Sequence, residues 1–333
     1  MVNTKVELCG ITLDNPVIPA SGTFGYGYEF AELYDINCLG TFSFKGTTAE
    51  ARFGNPTPRI AECPDGMINA VGLQNPGVDA VIANELPKLA QVFNKPVMAN
   101  VSGFSIEDYV TTVEKLESQD QIGWFEVNIS CPNVHGGGMA FGTSAEAAAE
   151  VTAAVRKVTK KPLLIKLSPN VTNIVDIAKA CEAEGADGIS MINTLLGMRV
   201  DIKSRRPILH NNVGGMSGPA VFPIAVRMVW QVANRVKVPV IGLGGIEKWQ
   251  DAIEMMMVGA NAIQIGAAMF YDPYAPIKIV EGMNQWLDSQ GIKDINEIYG
   301  EYVAGAEEGS RAPLVNFDTE DAEPSIVNER GAK

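Results

Sequence analysis

Histidine is almost missing from this 333-residue chain. His135 and His210 are too few for an imidazole-rich metal centre and support a Ser-His-Asp triad poorly. Cysteine is scarce too. Cys9, Cys38, Cys63, Cys131 and Cys181 stand at wide, irregular intervals that suit neither a disulfide framework nor a CxxC metal pair, so a reduced compartment is expected. Basic residues are outnumbered, 26 Lys and Arg against 39 Asp and Glu, for a net charge of −13. That balance argues against an electrostatic grip on nucleic acid or anionic lipid. No apolar run is long enough to span a bilayer, and the first twenty residues carry Lys5, Glu7 and Asp14 in place of an apolar signal core. A soluble, cytoplasmic protein is expected, with no nucleic-acid or membrane partner.

What the chain does have is apolar material, 46% of its residues, in short β-rich runs that alternate with helical ones. Strands are predicted over residues 17–20, 39–44, 97–101, 125–129, 163–167, 188–193, 240–243 and 262–265. Helices are predicted over 28–34, 78–93, 106–118, 145–159, 173–184, 222–235, 249–258 and 274–288. Strands each followed by a helix describe a single (β/α)8 TIM barrel whose catalytic groups gather at the C-terminal strand ends. The barrel is assigned to residues 1–300. Two connections within it, 45–77 and 194–219, are long enough to be lids or binding loops. Residues 301–333 hold eight acidic side chains against three basic ones and are expected to be a loosely ordered or partner-contacting extension.

The predicted strand ends carry the chemistry. Asn128-Ile129-Ser130-Cys131-Pro132-Asn133 places a thiol where an apolar strand gives way to a loop containing Gly136-Gly137-Gly138. A thiol there can serve as nucleophile or as proton acceptor. Ser21-Gly22, Lys45-Gly46, Asn100, Lys166 and Asn193-Thr194 close other strands. Gly244-Gly245 and Gly266-Ala267 close the last two, each opening a helix, and Gly214-Gly215-Met216-Ser217-Gly218 reads as a third glycine-rich turn; together they suit a phosphorylated ligand. Lys45 and Lys166 would point into the barrel mouth, where a buried ammonium needs an anionic partner. Asparagines 69, 128, 133 and 193 supply paired donors and acceptors for a planar ligand bearing amide groups. A thiol, two cations and a phosphate cradle, without a metal cage, suggest an organic cofactor such as FMN. A non-redox phosphate-binding barrel fits the glycine turns equally.

The chain resembles the class 1 dihydroorotate dehydrogenases over residues 3–300, most closely the NAD-linked class 1B catalytic subunits. The resemblance rests on Pro19-Ala20-Ser21-Gly22, Arg52-Phe53-Gly54-Asn55-Pro56-Thr57-Pro58-Arg59 and Asn69-Ala70-Val71-Gly72-Leu73-Gln74-Asn75-Pro76-Gly77. It continues through the Asn128–Asn133 run, Lys166-Leu167-Ser168-Pro169-Asn170-Val171, Asn193-Thr194-Leu195, the 214–219 segment and Ile241-Gly242-Leu243-Gly244-Gly245-Ile246. It implies oxidation of dihydroorotate to orotate in pyrimidine synthesis with one FMN per chain, Cys131 removing the C5 proton while a hydride passes from C6 to the flavin. Lys45, Asn69, Ala70, Val71, Gly72, Leu73, Asn128, Asn133, Asn193 and Thr194 would contact substrate, under a lid formed by residues 132–142. Ser21, Lys45, Gly46, Asn100, Asn128, Lys166 and Ile192 would line the flavin ring and ribityl chain, and Gly218, Gly244, Gly245, Gly266 and Ala267 its phosphate end. Gly46 departs from the family in lacking the small side chain usual there. FAD and an iron-sulfur cluster are expected only in an electron-transfer partner that joins a homodimeric core in a heterotetramer; the chain itself has no four-cysteine cluster pattern and no GxGxxG fingerprint. Fumarate-using homodimeric relatives share the barrel and are the alternative.

Overall fold

The computed structural model describes residues 2–130 and 141–302. Cys131, Asn133, the glycine loop that follows them and the extension from residue 303 onward lie outside the described residues. Seven parallel strands form one curled sheet. Their order is Val17–Pro19, Ala262–Ile265, Val240–Leu243, Gly188–Met191, Leu163–Lys166, Ile122–Asn128 and Val97–Val101. Every residue of the strands at 97–101, 163–166, 188–191, 240–243 and 262–265 is buried, as expected of a parallel sheet covered on both faces.

The predicted strand at 39–44 is different. A short 3-10 helix, Ile36–Cys38, stands just before it, and the 41–47 segment pairs through single bridges, Ser43 with Met98 and Thr47 with Val101. It nonetheless bonds to both edges of the sheet. Ser43 N–H donates to Pro19 O at 2.9 Å, while Phe44 N–H donates to Met98 O at 3.1 Å and Thr47 N–H to Asn100 O at 2.9 Å. The architecture is therefore TIM-barrel-like: a sheet of seven strands whose two outer strands are tied together by this segment.

The longer helices follow the predicted pattern, presenting an apolar stripe to the sheet, and three of them start on a side chain that satisfies a first-turn amide. Ser105, Ser144 and Asn173 accept from Asp108, Ala147 and Val175 N–H at the heads of Ile106–Glu117, Ala145–Arg156 and Ile174–Ala183. The helix predicted at 78–93 is broken into Val78–Ala80, a π-turn at Val81–Glu85 and Leu86–Leu89. Pro87, with no N–H to give, accounts for the interruption.

The two long connections fold together. Ile60–Cys63, Gly66–Asn69, Val213–Ser217 and Leu195–Met198 make a four-stranded antiparallel sheet over the C-terminal end of the parallel one. The supposed glycine turn at 214–218 is thus mostly strand. Its glycines serve close packing: a Cβ on Gly214 would stand 2.7 Å from Asn69 O, and one on Gly215 would overlap the Thr194 side chain. Among the described residues no helix is long and apolar enough to cross a membrane, and no group of three or more His, Cys, Asp or Glu is placed to hold a metal ion.

Candidate active site

A cavity of about 290 Å³ opens at the C-terminal ends of the parallel strands, beneath the antiparallel sheet. Its floor comes from strand ends. Ser21, Lys45, Gly46, Asn100, Asn128 and Lys166 line it on one side. Ile192, Asn193 and Thr194 follow the Gly188–Met191 strand around the wall. Asn69 at the end of Gly66–Asn69, and the loop residues Ala70, Val71, Gly72 and Leu73, form the roof. Gly218, Gly244, Gly245, Gly266 and Ala267 make the far end. All nineteen site residues that the sequence picks out among the described residues line this one cavity; Cys131 and Asn133 are the two outside them.

The side chains are held by bonds from behind. Asn128 Oδ1 accepts from Asn193 Nδ2 at 3.0 Å and from Ser130 N–H at 3.1 Å, while the Asn128 carbonyl accepts from Tyr109 OH at 2.8 Å. Asn193 Oδ1 takes the Thr194 N–H at 2.7 Å, which fixes the amide of Asn193 with its nitrogen toward Asn128. Lys166 is 5% exposed, its carbonyl taking a bond from Ser130 Oγ at 2.9 Å. Lys45 approaches the opposite rim, its Nζ 3.8 Å from where a Cβ on Gly22 would lie. Around the roof, Asn55 Nδ2 donates to Ala70 O at 2.9 Å and Asn75 Nδ2 to Leu73 O at 2.8 Å, so the loop is built from local side-chain to backbone bonds.

The far end is shaped by backbone. Gly218, Gly244 and Gly245 have φ of 110°, 126° and 77°, values that favour glycine. A Cβ on Gly245 would sit 2.8 Å from Gly218 O and 2.8 Å from Phe222 N. Only bare backbone fits between these turns. The Phe222–Ala233 helix and the 3-10 helix Ala267–Phe270 both begin beside them, which gives that end the character of an anion cradle.

Sequence reasoning passed over some of the lining, including Ser130, Met216, Glu247 and Tyr271. It also missed a polar cluster underneath. Glu126, 0% exposed, accepts through Oε2 from Ser43 Oγ and Asn100 Nδ2 and through Oε1 from Gln264 Nε2, each at 2.7 Å. Burial alone pushes this carboxyl up; the Lys166 charge and the three donors outweigh it, leaving the acid below its usual range. A lone acid in Trp124-Phe125-Glu126-Val127 and a lone amide in Ala262-Ile263-Gln264-Ile265 were the available signals, since polar groups within buried strands need partners.

The family model described as dihydroorotate dehydrogenase matches residues 3–287 of the chain. The chain belongs to the dihydroorotate dehydrogenase family. Among curated dihydroorotate dehydrogenases, it is 54% identical over 300 residues to the protein of Anoxybacillus flavithermus named dihydroorotate dehydrogenase B (NAD(+)), catalytic subunit, covering 90% of this chain and 96% of that one. Proteins of the same name from Bacillus cytotoxicus and Enterococcus faecalis are 52% and 51% identical over 300 residues, covering 90% of this chain and 97% and 96% of theirs. The dihydroorotate dehydrogenase match takes in every strand of the parallel sheet and every lining residue named above.

Proposed function

We propose that the chain is the FMN-binding catalytic subunit of an NAD-linked dihydroorotate dehydrogenase, oxidising dihydroorotate to orotate in pyrimidine synthesis. One observation carries the reading: two lysines and two interlocked asparagines face a cavity whose far end is a glycine cradle with two helix starts, in a chain about half identical to catalytic subunits of that name. The donor set fits the cofactor. A buried Lys166 calls for an electron-rich partner, and the cradle admits a phosphate but no side chain. FMN, when bound, supplies a two-electron acceptor for hydride.

The chain's own residues do the rest. Ser21, Gly46, Asn100, Lys166 and Ile192 hold the ring and ribityl chain, and Gly218, Gly244, Gly245, Gly266 and Ala267 hold the phosphate. Lys45, Asn69, Asn128, Asn193 and Thr194, with the 70–73 loop, orient the substrate ring and carboxylate. Cys131 takes the C5 proton at Sγ and Asn133 assists in orientation; both roles rest on their place in the Asn128–Asn133 run. The segment at 41–47 counts as the eighth strand of a closed barrel, residues 1–300 as the catalytic domain and 301–333 as an extension. A homodimeric core joined to a partner bearing FAD and an iron-sulfur cluster, in the cytoplasm, completes the proposal.

The absorption spectrum of the purified chain tests it. A yellow protein bleached anaerobically by dihydroorotate is expected, with NAD reduction appearing only once the partner subunit is added. A chain that takes up no added FMN defeats the reading. Cys131→Ala should keep its flavin while dihydroorotate reduces it about 10² to 10⁴ times more slowly, the usual worth of a general base; stopped-flow reduction at the wild-type rate would remove Cys131 from that role.

A further inference from the structure

Glu126 has no part in the chemistry proposed above, yet it is the buried anion of the whole site. Its carboxylate is reached by Ser43 on the 41–47 segment, Asn100 on Val97–Val101 and Gln264 on Ala262–Ile265, so it ties the ring-closing segment to strands on either side of it. It does not line the cavity; Asn100 and Lys166 do. An ionised carboxylate can only accept hydrogen bonds, so the nitrogen of the Asn100 amide must face Glu126. The Asn100 oxygen then faces Gly46, where an added Cβ would stand 2.8 Å from it. The cavity wall at this point therefore offers an acceptor beside a residue without a side chain.

Two charges of opposite sign thus act on whatever ring the cavity holds: Lys166 at the wall and Glu126 behind Asn100. Neither is well screened, because both are buried, at 5% and 0% exposure. Resting on the FMN reading above, we infer that Glu126 is a positioning residue that sets the reduction potential of the bound flavin, holding Asn100 with its oxygen toward Gly46 and offsetting the pull of Lys166 on added electrons. Its negative charge disfavours the reduced, electron-rich ring. The bound flavin is consequently harder to reduce than Lys166 alone would make it.

The experiment is an anaerobic titration of the full chain with bound FMN against a reference dye, which reads the potential independently of turnover. Glu126→Gln keeps the shape and removes the charge. The expected result is a more positive potential, the ratio of reduced to oxidised flavin at a fixed dye potential rising about tenfold, equal to about 1.4 kcal/mol. Ser43→Ala strips one donor from the carboxylate and leaves every charge in place, so it should move the potential the other way and by less. Glu126→Gln that binds FMN at the wild-type potential overturns the inference, since a purely structural residue would alter stability and not potential. If Glu126→Gln does not fold, an unchanged potential in Ser43→Ala overturns it instead. Failure of the wild-type chain to take up FMN is a separate outcome that overturns the proposed function itself.

Discussion

Gly46 shows how a single missing methyl group follows from its surroundings. The family resemblance implies a small side chain at this position, but here a Cβ would press on Asn100 Oδ1 at 2.8 Å and on Ser102 Oγ at 3.2 Å. Asn100 cannot swing aside without giving up its bond to Glu126, and Ser102 is itself fully buried. Gly46→Ala is therefore expected to cost about 1–3 kcal/mol of stability through overpacking, measured by urea unfolding of the flavin-free chain. Pairing it with Asn100→Gly should recover most of that loss. If the double variant is no better than the sum of the two singles, the contact is not the cause.

At the scale of elements, the site is shared between two sheets that meet across Asn170. Its Nδ2 donates to Thr194 O at 3.1 Å and its Oδ1 accepts from Leu196 N–H at 2.8 Å, so it clamps the start of Leu195–Met198 at the point where Thr194 enters the cavity. Asn170→Ala should release this strand without touching the cofactor end. A KM for dihydroorotate raised about tenfold, with the flavin spectrum unchanged, is the expected outcome, in line with one or two hydrogen bonds lost; an unaltered KM would mean the clamp is idle. These elements also show what could be read from the chain before its structure. The parallel strands are legible because they are short, largely buried and mostly apolar runs, most of them followed by glycine or a polar residue. Leu195–Met198 and Val213–Ser217 are not, since glycines interrupt both and the second partner of Val213–Ser217, Gly66–Asn69, lies far along the chain. The 39–44 strand is matched only in its second half: Gly40 packs on the Asn15 carbonyl, and pairing begins at Ser43. The strand-end residues of the site followed directly from the strands. Glu126 stayed hidden because its donors lie 83, 26 and 138 residues away, and no local pattern announces them.

For the whole molecule, burial of neutral thiols makes stability depend on pH in a definite direction. Cys181 is 0% exposed, and burial pushes its thiol from 9.0 to about 12. Cys9 is likewise pushed up to about 12, by burial and by the Asp187 charge. Both folded values lie above the unfolded one, so the folded state keeps protons that the unfolded chain releases. Stability is complete below pH 9 and is lost as pH rises from there to about 12. Cys181 by itself should contribute a slope of about 1.4 kcal/mol per pH unit in this window. Urea unfolding at pH 8 and pH 11 is the check, and Cys181→Ala should fall less steeply between the two; an equal fall in both proteins would assign the alkaline loss elsewhere.

The segment that ties the outer strands together has a consequence for the order in which the molecule assembles. Ser43, Lys45 and Gly46 all belong to it, and its bonds reach Pro19 on one side and Met98 and Asn100 on the other. An open sheet would lack one rim of the cavity and one donor to Glu126 at the same moment. Ring closure and site formation are therefore a single event, although the long-range closure of the sheet is the pairing of Val17–Pro19 with Ala262–Ile265 and not this segment. A chain on the ribosome, or one with its edge strands still exposed, has no pocket to fill, so ligand capture by this protein doubles as a certificate that its fold is finished.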